Sequence, residues 1–384
     1  MLIICHYAEI ALKGGNRKIF EEKLVENIKK SLKMNGIVFK FVRRISGRIL
    51  VELPDGQEDK KITAALQNVF GIAYFYFGKN CQQDIEAIKK AASDILKSQN
   101  FDTFRIETKR ADKSFSLSSQ QINEQAGAAI VEKLKKKVNL GQPDITLFID
   151  IVEKYCFLYT EKISGLGGLP VGVSGKAISL ISGGIDSPVA SYLMMKRGVE
   201  NIFVHFYATQ EGYQKSLEKV RDLLKVLKKF QDEIKVYFVS FSDIQKEIVL
   251  KCQADLRVVL YRRFMFLVAS EIAKKENAKA LITGESVGQV ASQTLDNMLA
   301  VEEAVDLPVM RPLSGMDKQE IIGIAKKIGT YEISILPHLD CCSMFVPDHP
   351  ATKANLKEVK KEEKKLKVAK LIQQAIKNTK IETI

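Results

Sequence analysis

An apolar run ends in one serine and two glycines, and a helical pattern begins directly after them, in AISLISGGIDSPVASYLMMKRG at residues 177–198. The run is short and has little polar alternation, which is typical of a parallel β-strand buried on both faces. A strand that turns tightly into a helix is characteristic of α/β folds. The segment therefore predicts the first strand and the first helix of an α/β sheet.

Similar apolar runs follow this strand. NIFVHFYA, IKVYFVSF and AKALITGES are each separated from the next by a helical pattern, and LPVMRPLS precedes the last one, DKQEIIGIAKKIG. Alternation of this kind predicts an α/β domain with a doubly wound parallel sheet, which we place at residues 177–384. The lysine-rich tail from Ala351 onward has a helical composition.

Two smaller α+β domains are predicted upstream. Residues 1–58 contain a strand, a helix and two short strands, and residues 59–165 alternate helices with strands rich in β-branched and aromatic residues. Residues 166–176 include LGGLPVG, whose glycines and proline predict a linker between domains. The chain is thus expected to contain three domains.

The Ser-Gly-Gly turn is a candidate phosphate site. Open α/β sheets bind ligands at the carboxyl ends of their strands, where Ser182, Gly183 and Gly184 are predicted to lie. Glycines let consecutive backbone N–H groups approach an anion closely. We expect Ser187 to cap the following helix, with Pro188 at its first position. Asp186 suits an anion site only if it binds Mg²⁺ between phosphate oxygens or acts as a second helix cap.

The charge of the chain favours a polyanionic partner. Lys and Arg number 59 against 46 Asp and Glu, a formal net charge of +13. The candidate phosphate contacts in the two small domains are Lys13, Arg17, Lys18, Lys109, Arg110 and Lys113. Further basic residues, Arg43, Arg44 and Arg48, fall in the first domain. A lysine-rich face that only contacts water is the alternative interpretation.

The sequence shows neither a secretion leader nor an apolar stretch of membrane-spanning length. Its six cysteines are scattered without a zinc-site spacing. We therefore expect a cytoplasmic protein with free thiols and no membrane partner.

SGGIDSPVA resembles the pyrophosphate-binding loop of the ATP pyrophosphatases of the adenine-nucleotide α-hydrolase-like group. Several ordered segments are also similar to the tRNA 4-thiouridine synthetase family, which is linked to thiamine thiazole biosynthesis as well. These segments are AEIALKGGNRKIF, FRIETKRADKSFSLSS, GLGGLPVG, VHFYA, ITGESVGQVASQT, RPLSGMDKQEIIGIAKKIGTYEIS and DCCSMFVPDHPATK. The similarity extends from about residue 6 to residue 353.

The resemblance implies a ferredoxin-like domain, a tRNA-binding THUMP domain and an ATP pyrophosphatase domain. It implies that the enzyme uses ATP and Mg²⁺ to thiolate the uridine at position eight of tRNA, and we expect a homodimer. The residues that it places around ATP are Leu180, Ile181, Ser182, Gly183, Gly184, Ser187, His205, Phe206, Arg262, Gly284 and Gln293. Asp186 matches the essential loop aspartate, and Lys318 matches a lysine near the phosphates.

Thiolation of uridine needs a leaving group at C4, which adenylation of the C4 oxygen supplies as AMP. A persulfide or sulfide sulfur then displaces AMP. The family places a cysteine where Cys341 and Cys342 stand, and Cys342 is the better match. The other four cysteines, Cys5, Cys81, Cys156 and Cys252, are expected to be core residues.

Many family members carry a C-terminal rhodanese domain, and only 34 residues follow Pro350 here. We therefore expect this domain to be absent. The sulfur would then come from a separate rhodanese protein, a cysteine desulfurase or another persulfide donor, from direct loading of Cys341 and Cys342, or from free sulfide. A role in thiamine synthesis would lack the usual relay.

Two alternatives remain at the level of sequence. The first is an ATP pyrophosphatase that modifies another tRNA site or another substrate. The second is a tRNA-binding protein without catalysis, against which the intact SGGIDS loop and Lys318 argue.

Overall fold

The computed structural model describes residues 1–111, 114–208, 213–337 and 350–384. The chain divides into two compact units, Met1–Leu169 and Pro170–Ile384. Each unit has its own sheets and its own core, and each is described by itself below.

The first unit contains ten strands and four α-helices in its described residues. In chain order they are β1 (Leu2–His6), a 3₁₀ helix (Glu9–Asn16), α1 (Arg17–Met34), β2 (Phe41–Ile45), β3 (Arg48–Glu52), α2 (Asp59–Gln67), β4 (Tyr74–Phe77), β5 (Lys79–Cys81), α3 (Ile85–Lys97), β6 (Thr103–Arg110), α4 (Ser119–Leu134), β7 (Lys137–Val138), β8 (Ile145–Val152), β9 (Tyr155–Tyr159) and β10 (Ile163–Ser164). The strands form two five-stranded sheets, ordered β10-β4-β1-β3-β2 and β5-β9-β8-β6-β7.

The first sheet extends beyond the domain boundary expected at residues 58 and 59. Strand β4 pairs antiparallel with β1, with Ile4 opposite Tyr76, and β10 pairs with β4. The expected linker is hydrogen-bonded next to this sheet, where Gly167 N–H donates to Ile72 O at 2.8 Å. The local sequence pattern does not show this continuation, because strand pairing joins residues that are distant in the chain.

A buried ion pair joins the two sheets of the first unit. Arg48 on β3 donates from Nε to Asp150 Oδ2 on β8 at 2.7 Å and from Nη2 to Oδ1, and Tyr76 Oη donates to Oδ2 at 2.8 Å. Both charged side chains are buried. Burial raises the pKa of Asp150, but His6 and Arg48 outweigh it and hold the pKa below its usual value. Arg48 is thus a structural residue rather than a surface phosphate contact.

The second unit contains a six-stranded sheet. Its elements are β11 (Lys176–Leu180), α5 (Asp186–Lys196), β12 (Glu200–Tyr207), α6 (Tyr213–Leu227), β13 (Lys235–Ser240), α7 (Ser242–Lys251), α8 (Arg257–Glu276), β14 (Leu281–Ile282), a 3₁₀ helix (Ala291–Gln293), α9 (Leu295–Glu302), β15 (Val309–Met310), α10 (Lys318–Ile328), α11 (Tyr331–Ser334), α12 (Leu356–Glu363), α13 (Val368–Lys377) and β16 (Lys380–Thr383).

The order of this sheet is β15-β14-β11-β12-β13-β16. Five strands are parallel, and the strand order reverses between β11 and β14, which confirms the predicted doubly wound sheet. Phe203 and Val204 are adjacent on β12 and both are fully buried, so both faces of the sheet are covered. The tail is helical only in part, because β16 pairs antiparallel with β13 at the sheet edge.

No helix in the described ranges is long and apolar enough to cross a membrane.

The Asp150 pair gives a stability prediction. We expect Asp150→Ala to lower the free energy of unfolding by about 3–5 kcal/mol, because Arg48 would remain buried without its counter-ion. Urea unfolding of the full chain measures this loss. The contribution of Asp150 should be complete above the ordinary carboxyl pKa of about 3.9 and should decline as the pH falls below it, because the pKa in the folded protein is lower.

Asp222→Ala is the matched control, since Asp222 pairs with Lys225 on the surface. It should change stability by no more than about 1 kcal/mol. The double variant Arg48→Met/Asp150→Leu should recover much of the loss, because it leaves neither charge buried alone. An equal effect of Asp150→Ala and Asp222→Ala would contradict the assignment.

Candidate active site

A cavity of about 380 Å³ opens at the carboxyl ends of the parallel strands, where the strand order reverses. Its size lies within the usual range of small-molecule pockets. The residues that line it are Leu180, Ile181, Ser182, Gly183, Gly184, Asp186, Ser187, Val204, His205, Phe206, Arg262, Met265, Phe266, Thr283, Gly284, Glu285, Val290, Ser292 and Gln293. The cavity therefore includes all eleven residues that the family resemblance implies around ATP.

The loop between β11 and α5 is held by two serines. The hydroxyl of Ser187 accepts a hydrogen bond from Ser182 N–H at 2.9 Å, and the two hydroxyl groups lie 3.1 Å apart. Gly184 N–H donates to Ser182 Oγ at 3.3 Å. These contacts close the loop into a compact turn at the amino end of α5.

The predicted helix cap is wrong. Helix α5 begins at Asp186, its cap position is Ile185, and no side chain caps it. Ser187 lies inside the first turn, so its hydroxyl is available to the loop, and Pro188 follows it instead of starting the helix. Asp186 does not cap α5 either. The helix start predicted from the sequence was wrong because a local pattern contains no information on the contact between Ser187 and Ser182.

Gly284 allows the loop after β14 to contact the first turn of α5. A Cβ atom at this position would lie 2.7 Å from Ser187 N and 2.9 Å from the Asp186 carbonyl carbon. Both neighbours are backbone atoms, which cannot move aside like a flexible side chain. The absence of a side chain at Gly284 thus brings together the two loops that form the cavity.

Two side chains from distant parts of the chain bind the Asp186 carboxylate. Lys318 Nζ donates to Oδ1 at 2.6 Å, and Gln289 Nε2 donates to Oδ2 at 2.9 Å. Lys318 is the first residue of α10. Because Asp186 neutralises it, Lys318 can lie close to the electropositive end of α5.

A second carboxylate, Glu285, lies in the cavity wall. It accepts hydrogen bonds from Arg262, from Arg311 Nε at 2.7 Å and from Thr283 Oγ1 at 2.9 Å. Burial raises the pKa of Glu285, but Arg262 and Arg311 outweigh this effect and keep the pKa below its usual value. Arg262 also donates to Ser292 Oγ at 3.2 Å. Glu285 thus fixes the orientation of Arg262 toward the cavity.

His205 and Phe206 lie at the end of β12, and both are buried. The His205 ring donates from Nδ1 to the Ile181 carbonyl at 2.9 Å, because a carbonyl can only accept. Phe206 packs edge to face against Phe241. These two residues form a rigid wall beside the loop.

Sequence reasoning missed Gln289, Glu285, Thr283 and Ser292. All four fall within ITGESVGQVASQT, a segment used for the family resemblance. Their polar side chains directly after a buried strand were an available signal. Their partners, Asp186, Arg262 and Arg311, could not be read from the local pattern.

The expected tRNA contacts lie on two elements of the first unit. Lys13, Arg17 and Lys18 surround the start of α1, where Lys18 is exposed and Arg17 donates to Ala11 O at 2.9 Å. Lys109 and Arg110 end β6. Arg110 donates from Nη1 to Phe115 O and Leu117 O, so it also stabilises the loop that follows it. Lys113 lies outside the described residues.

The four described cysteines fit the core assignment, since Cys5, Cys156 and Cys252 are buried and Cys81 is partly buried. Burial raises the pKa of Cys252 to about 11 and also raises the pKa of Cys5. A thiol with a raised pKa is a poor nucleophile at neutral pH. Cys341 and Cys342 lie outside the described residues.

A doubly wound parallel sheet with a serine–glycine loop and a cavity at its switch point defines an α/β nucleotide-binding domain of the ATP pyrophosphatase class. Three family models match the chain: the ThiI ferredoxin-like domain at residues 2–76, the THUMP domain at residues 82–161, and the family described as thiamine biosynthesis protein (ThiI) at residues 172–368. The chain belongs to the ThiI family.

The names of similar proteins are consistent with membership of this family. The chain is 46% identical, over 97% of its length and 97% of the relative's, to a probable tRNA sulfurtransferase of Caldanaerobacter subterraneus subsp. tengcongensis. It is 43% identical to a probable tRNA sulfurtransferase of Moorella thermoacetica, over 100% of this chain and 97% of that one. The resemblance to this family seen in the sequence is thus confirmed.

Solved structures support the fold. A 4-thiouridine synthetase in complex with RNA and bound ATP superposes with a TM-score of 0.89 at 37% identity, covering 100% of this chain and 99% of that one. PH1313 from Pyrococcus horikoshii superposes with a TM-score of 0.67 at 26% identity, over 85% of this chain and 99% of that one. The predicted order of a ferredoxin-like, a THUMP and an α/β domain is confirmed.

The close contact at Gly284 gives the second prediction. We expect Gly284→Ala to weaken ATP binding strongly and to cost about 1–3 kcal/mol of stability, because the new methyl group would push against the backbone of α5. Calorimetric titration with ATP and thermal unfolding measure the two effects.

Gly315→Ala is the matched control. A methyl group added at Gly315 would meet no atom within 4 Å, and the backbone there is not left-handed. This variant should bind ATP like the unmodified protein. If the two alanine variants bound ATP equally well, the close approach would not matter for the site.

Proposed function

We propose that this chain is an ATP-dependent tRNA sulfurtransferase that converts the uridine at position eight of tRNA into 4-thiouridine. The observation that carries the proposal is that the Ser-Gly-Gly loop and Asp186, the partner of Lys318, line one cavity in a chain of the ThiI family. The relatives named tRNA sulfurtransferase and the ATP-bound 4-thiouridine synthetase–RNA complex support it.

ATP would lie across the edge of the sheet. The backbone N–H groups of Ser182–Gly184 and the amino end of α5 suit the β and γ phosphates. Apolar lining residues such as Leu180, Ile181 and Phe206 suit the adenine. Lys318, paired with Asp186, brings its ammonium group beside the loop, and Arg262, held by Glu285, lies in the cavity wall.

Mg²⁺ would accompany the nucleotide. The described residues contain no cluster of three or more metal-ligating side chains. Mg²⁺ commonly uses one or two carboxylates with substrate phosphates and waters, so Asp186 as a single ligand fits. Each of its oxygens accepts one hydrogen bond, from Lys318 or from Gln289, and keeps a second lone pair that could bind the ion. Bound Mg²⁺ would neutralise phosphate charge.

Adenylation activates the base. The C4 oxygen of uridine attacks the α-phosphorus of ATP, the bond to the β-phosphate oxygen breaks, and pyrophosphate leaves. The loop and Lys318 would stabilise the charge that develops on pyrophosphate. The C4 oxygen is then part of an AMP leaving group.

Sulfur replaces this leaving group. The terminal sulfur of a persulfide on Cys342, or on Cys341, attacks C4 and AMP departs with the former C4 oxygen. A second thiol cleaves the sulfur–sulfur bond and leaves the sulfur on the base. Alternatively, the second thiol attacks the persulfide first and releases sulfide, which then attacks C4. Either route forms one disulfide, which an external thiol must reduce.

The first unit would bind tRNA through its basic residues. Lys13, Lys18 and Lys109 are candidates for phosphate contacts that position the RNA without reading its sequence. The uridine at position eight lies within the folded tRNA, so some local extrusion is expected before it reaches the cavity. Assembly as a homodimer, a persulfide-donating partner and a cytoplasmic location remain predictions.

The central experiment supplies unmodified tRNA, ATP, Mg²⁺ and a persulfide donor or sulfide. Nucleoside mass spectrometry should detect 4-thiouridine, and AMP should accumulate. We expect Asp186→Ala to lower both products by about 100-fold or more, because Lys318 loses its partner at the loop. Asp222→Ala, at a surface pair, should retain both products. AMP without sulfur in the tRNA would favour another acceptor, and tRNA binding without AMP would favour a non-catalytic protein.

The cysteine assignment is tested in the same assay with the persulfide donor. We expect Cys342→Ser to lose 4-thiouridine formation and Cys341→Ser to retain most of it, because Cys342 is the better match to the family cysteine. Cys252→Ala, at a buried thiol, serves as the control and should stay active. Full activity of both serine variants would exclude a relay through this pair.

A further inference from the structure

Helices α10 and α11 contact the segment Ser182–Ser187, here called the phosphate-site loop, which includes the first residues of α5. The contacts are made by the first residue of α10 and the last residue of α11. Lys318, the first residue of α10, donates to Asp186 Oδ1 at 2.6 Å. Ser334, the last residue of α11, donates from its hydroxyl to Gly184 O at 3.3 Å. The segment between Lys318 and Ser334 is therefore fixed to the loop at two points.

Lys219 of α6 fixes the second of these points. Its Nζ donates to Ser334 O at 2.8 Å and to Leu336 O at 2.5 Å. The residue is only 6% exposed, and burial lowers the pKa of its ammonium group. Burial of an ammonium group is costly unless hydrogen bonds compensate it. The two carbonyl contacts therefore fix this lysine to the main chain at the end of α11.

Lys225 shows the contrast on the same helix. Its side chain is 65% exposed, and it pairs with Asp222 at 2.7 Å on the surface. Burial is therefore not a general property of the lysines on α6, and it distinguishes Lys219 from Lys225. The position of Lys219 directs its charge to the main chain at the end of α11.

Cys341 follows Leu336 by five residues. Even a fully extended chain of that length spans no more than about 18 Å. A shift of Leu336 would therefore change the position from which the segment with Cys341 and Cys342 starts. The contacts of Lys219 and Ser334 fix this starting position relative to the phosphate-site loop.

We propose that Lys219 and Ser334 are positioning residues for the sulfur-transfer step, which link the loop at Gly184 to the start of the cysteine-bearing segment. This inference rests on the proposed sulfurtransferase function. The inference distinguishes two steps of the reaction, adenylation and sulfur transfer. Adenylation depends on the loop, Asp186 and Lys318, whereas transfer from the cysteine also depends on Lys219 and Ser334.

Loss of this link has a distinct chemical consequence. When the persulfide does not reach the adenylated uridine, water attacks C4 instead. AMP then leaves, the water oxygen becomes the new C4 oxygen, and uridine is restored. ATP is consumed without thiolation, so the amount of AMP formed for each 4-thiouridine rises.

The test uses the full-length variants Lys219→Met and Ser334→Ala, with Lys225→Met as the matched control. Methionine keeps the length of the side chain but cannot donate to the two carbonyls. With a persulfide donor, we expect Lys219→Met to form AMP within about twofold of the unmodified protein and 4-thiouridine at least about tenfold more slowly. Ser334→Ala should shift the ratio in the same direction by a smaller factor, and Lys225→Met should not shift it.

A second sulfur source distinguishes a loss of sulfur transfer from a loss of adenylation. Free sulfide at saturating concentration does not depend on the cysteine-bearing segment, so it should restore 4-thiouridine formation by Lys219→Met, as it should for Cys342→Ser. Asp186→Ala should not recover with sulfide, because that variant lacks adenylation. The proposal is supported when Lys219→Met behaves like Cys342→Ser and unlike Asp186→Ala.

Parallel losses of AMP and 4-thiouridine in Lys219→Met would overturn the proposal, since they indicate a general structural role. If thermal unfolding shows that Lys219→Met does not fold, Ser334→Ala decides, because it removes one oxygen and leaves the Lys219 contacts to the main chain in place. An unchanged ratio of AMP to 4-thiouridine in Ser334→Ala would then refute the link. If the unmodified protein forms no 4-thiouridine with either sulfur source, the proposed function itself fails.

Discussion

The close approach of Gly284 to the first turn of α5 is the constraint on which the site depends. Residue 284 follows β14 and residues 186–187 follow β11, and these two strands are neighbours at the switch point of the sheet. Only a residue without a side chain permits the backbones to come this close. The contact brings the phosphate-site loop and Glu285 around one cavity, and it brings Gln289 within hydrogen-bonding distance of Asp186.

Each of the two carboxylates at that cavity has cationic partners. Asp186 is paired with Lys318, and Glu285 is paired with Arg262 and Arg311. A buried carboxylate or ammonium group is tolerated when it has such partners, and each pair also fixes the position of a side chain. Lys219 follows the same rule with carbonyl oxygens as its partners. These pairings connect α5, α6, α10 and α11 to the loop.

Much of the site could be predicted from the sequence, for two different reasons. The strand, the glycines and the helix at residues 177–198 are local features, so periodicity and glycine chemistry sufficed to predict a phosphate site there. The residues that line the cavity elsewhere, such as His205 and Arg262, came from the family resemblance, and the structure places them together. Their binding of ATP remains a prediction. The start of α5 was misplaced because Ser187 bonds to Ser182 rather than capping the helix.

By itself, the sequence determined the order of strands and helices, the glycine-rich loop and the α/β class, because these follow from residue spacing and backbone preference over short distances. Only the tertiary structure decided which side chains meet. Lys318 reaches Asp186 across 132 positions, Ser334 reaches Gly184 across 150, and Arg48 pairs with Asp150 inside the first unit. Such contacts depend on strand order and on how helices cross the sheet. A local pattern does not carry that information, so Arg48 looked like a surface cation and Lys219 like any other lysine of its helix.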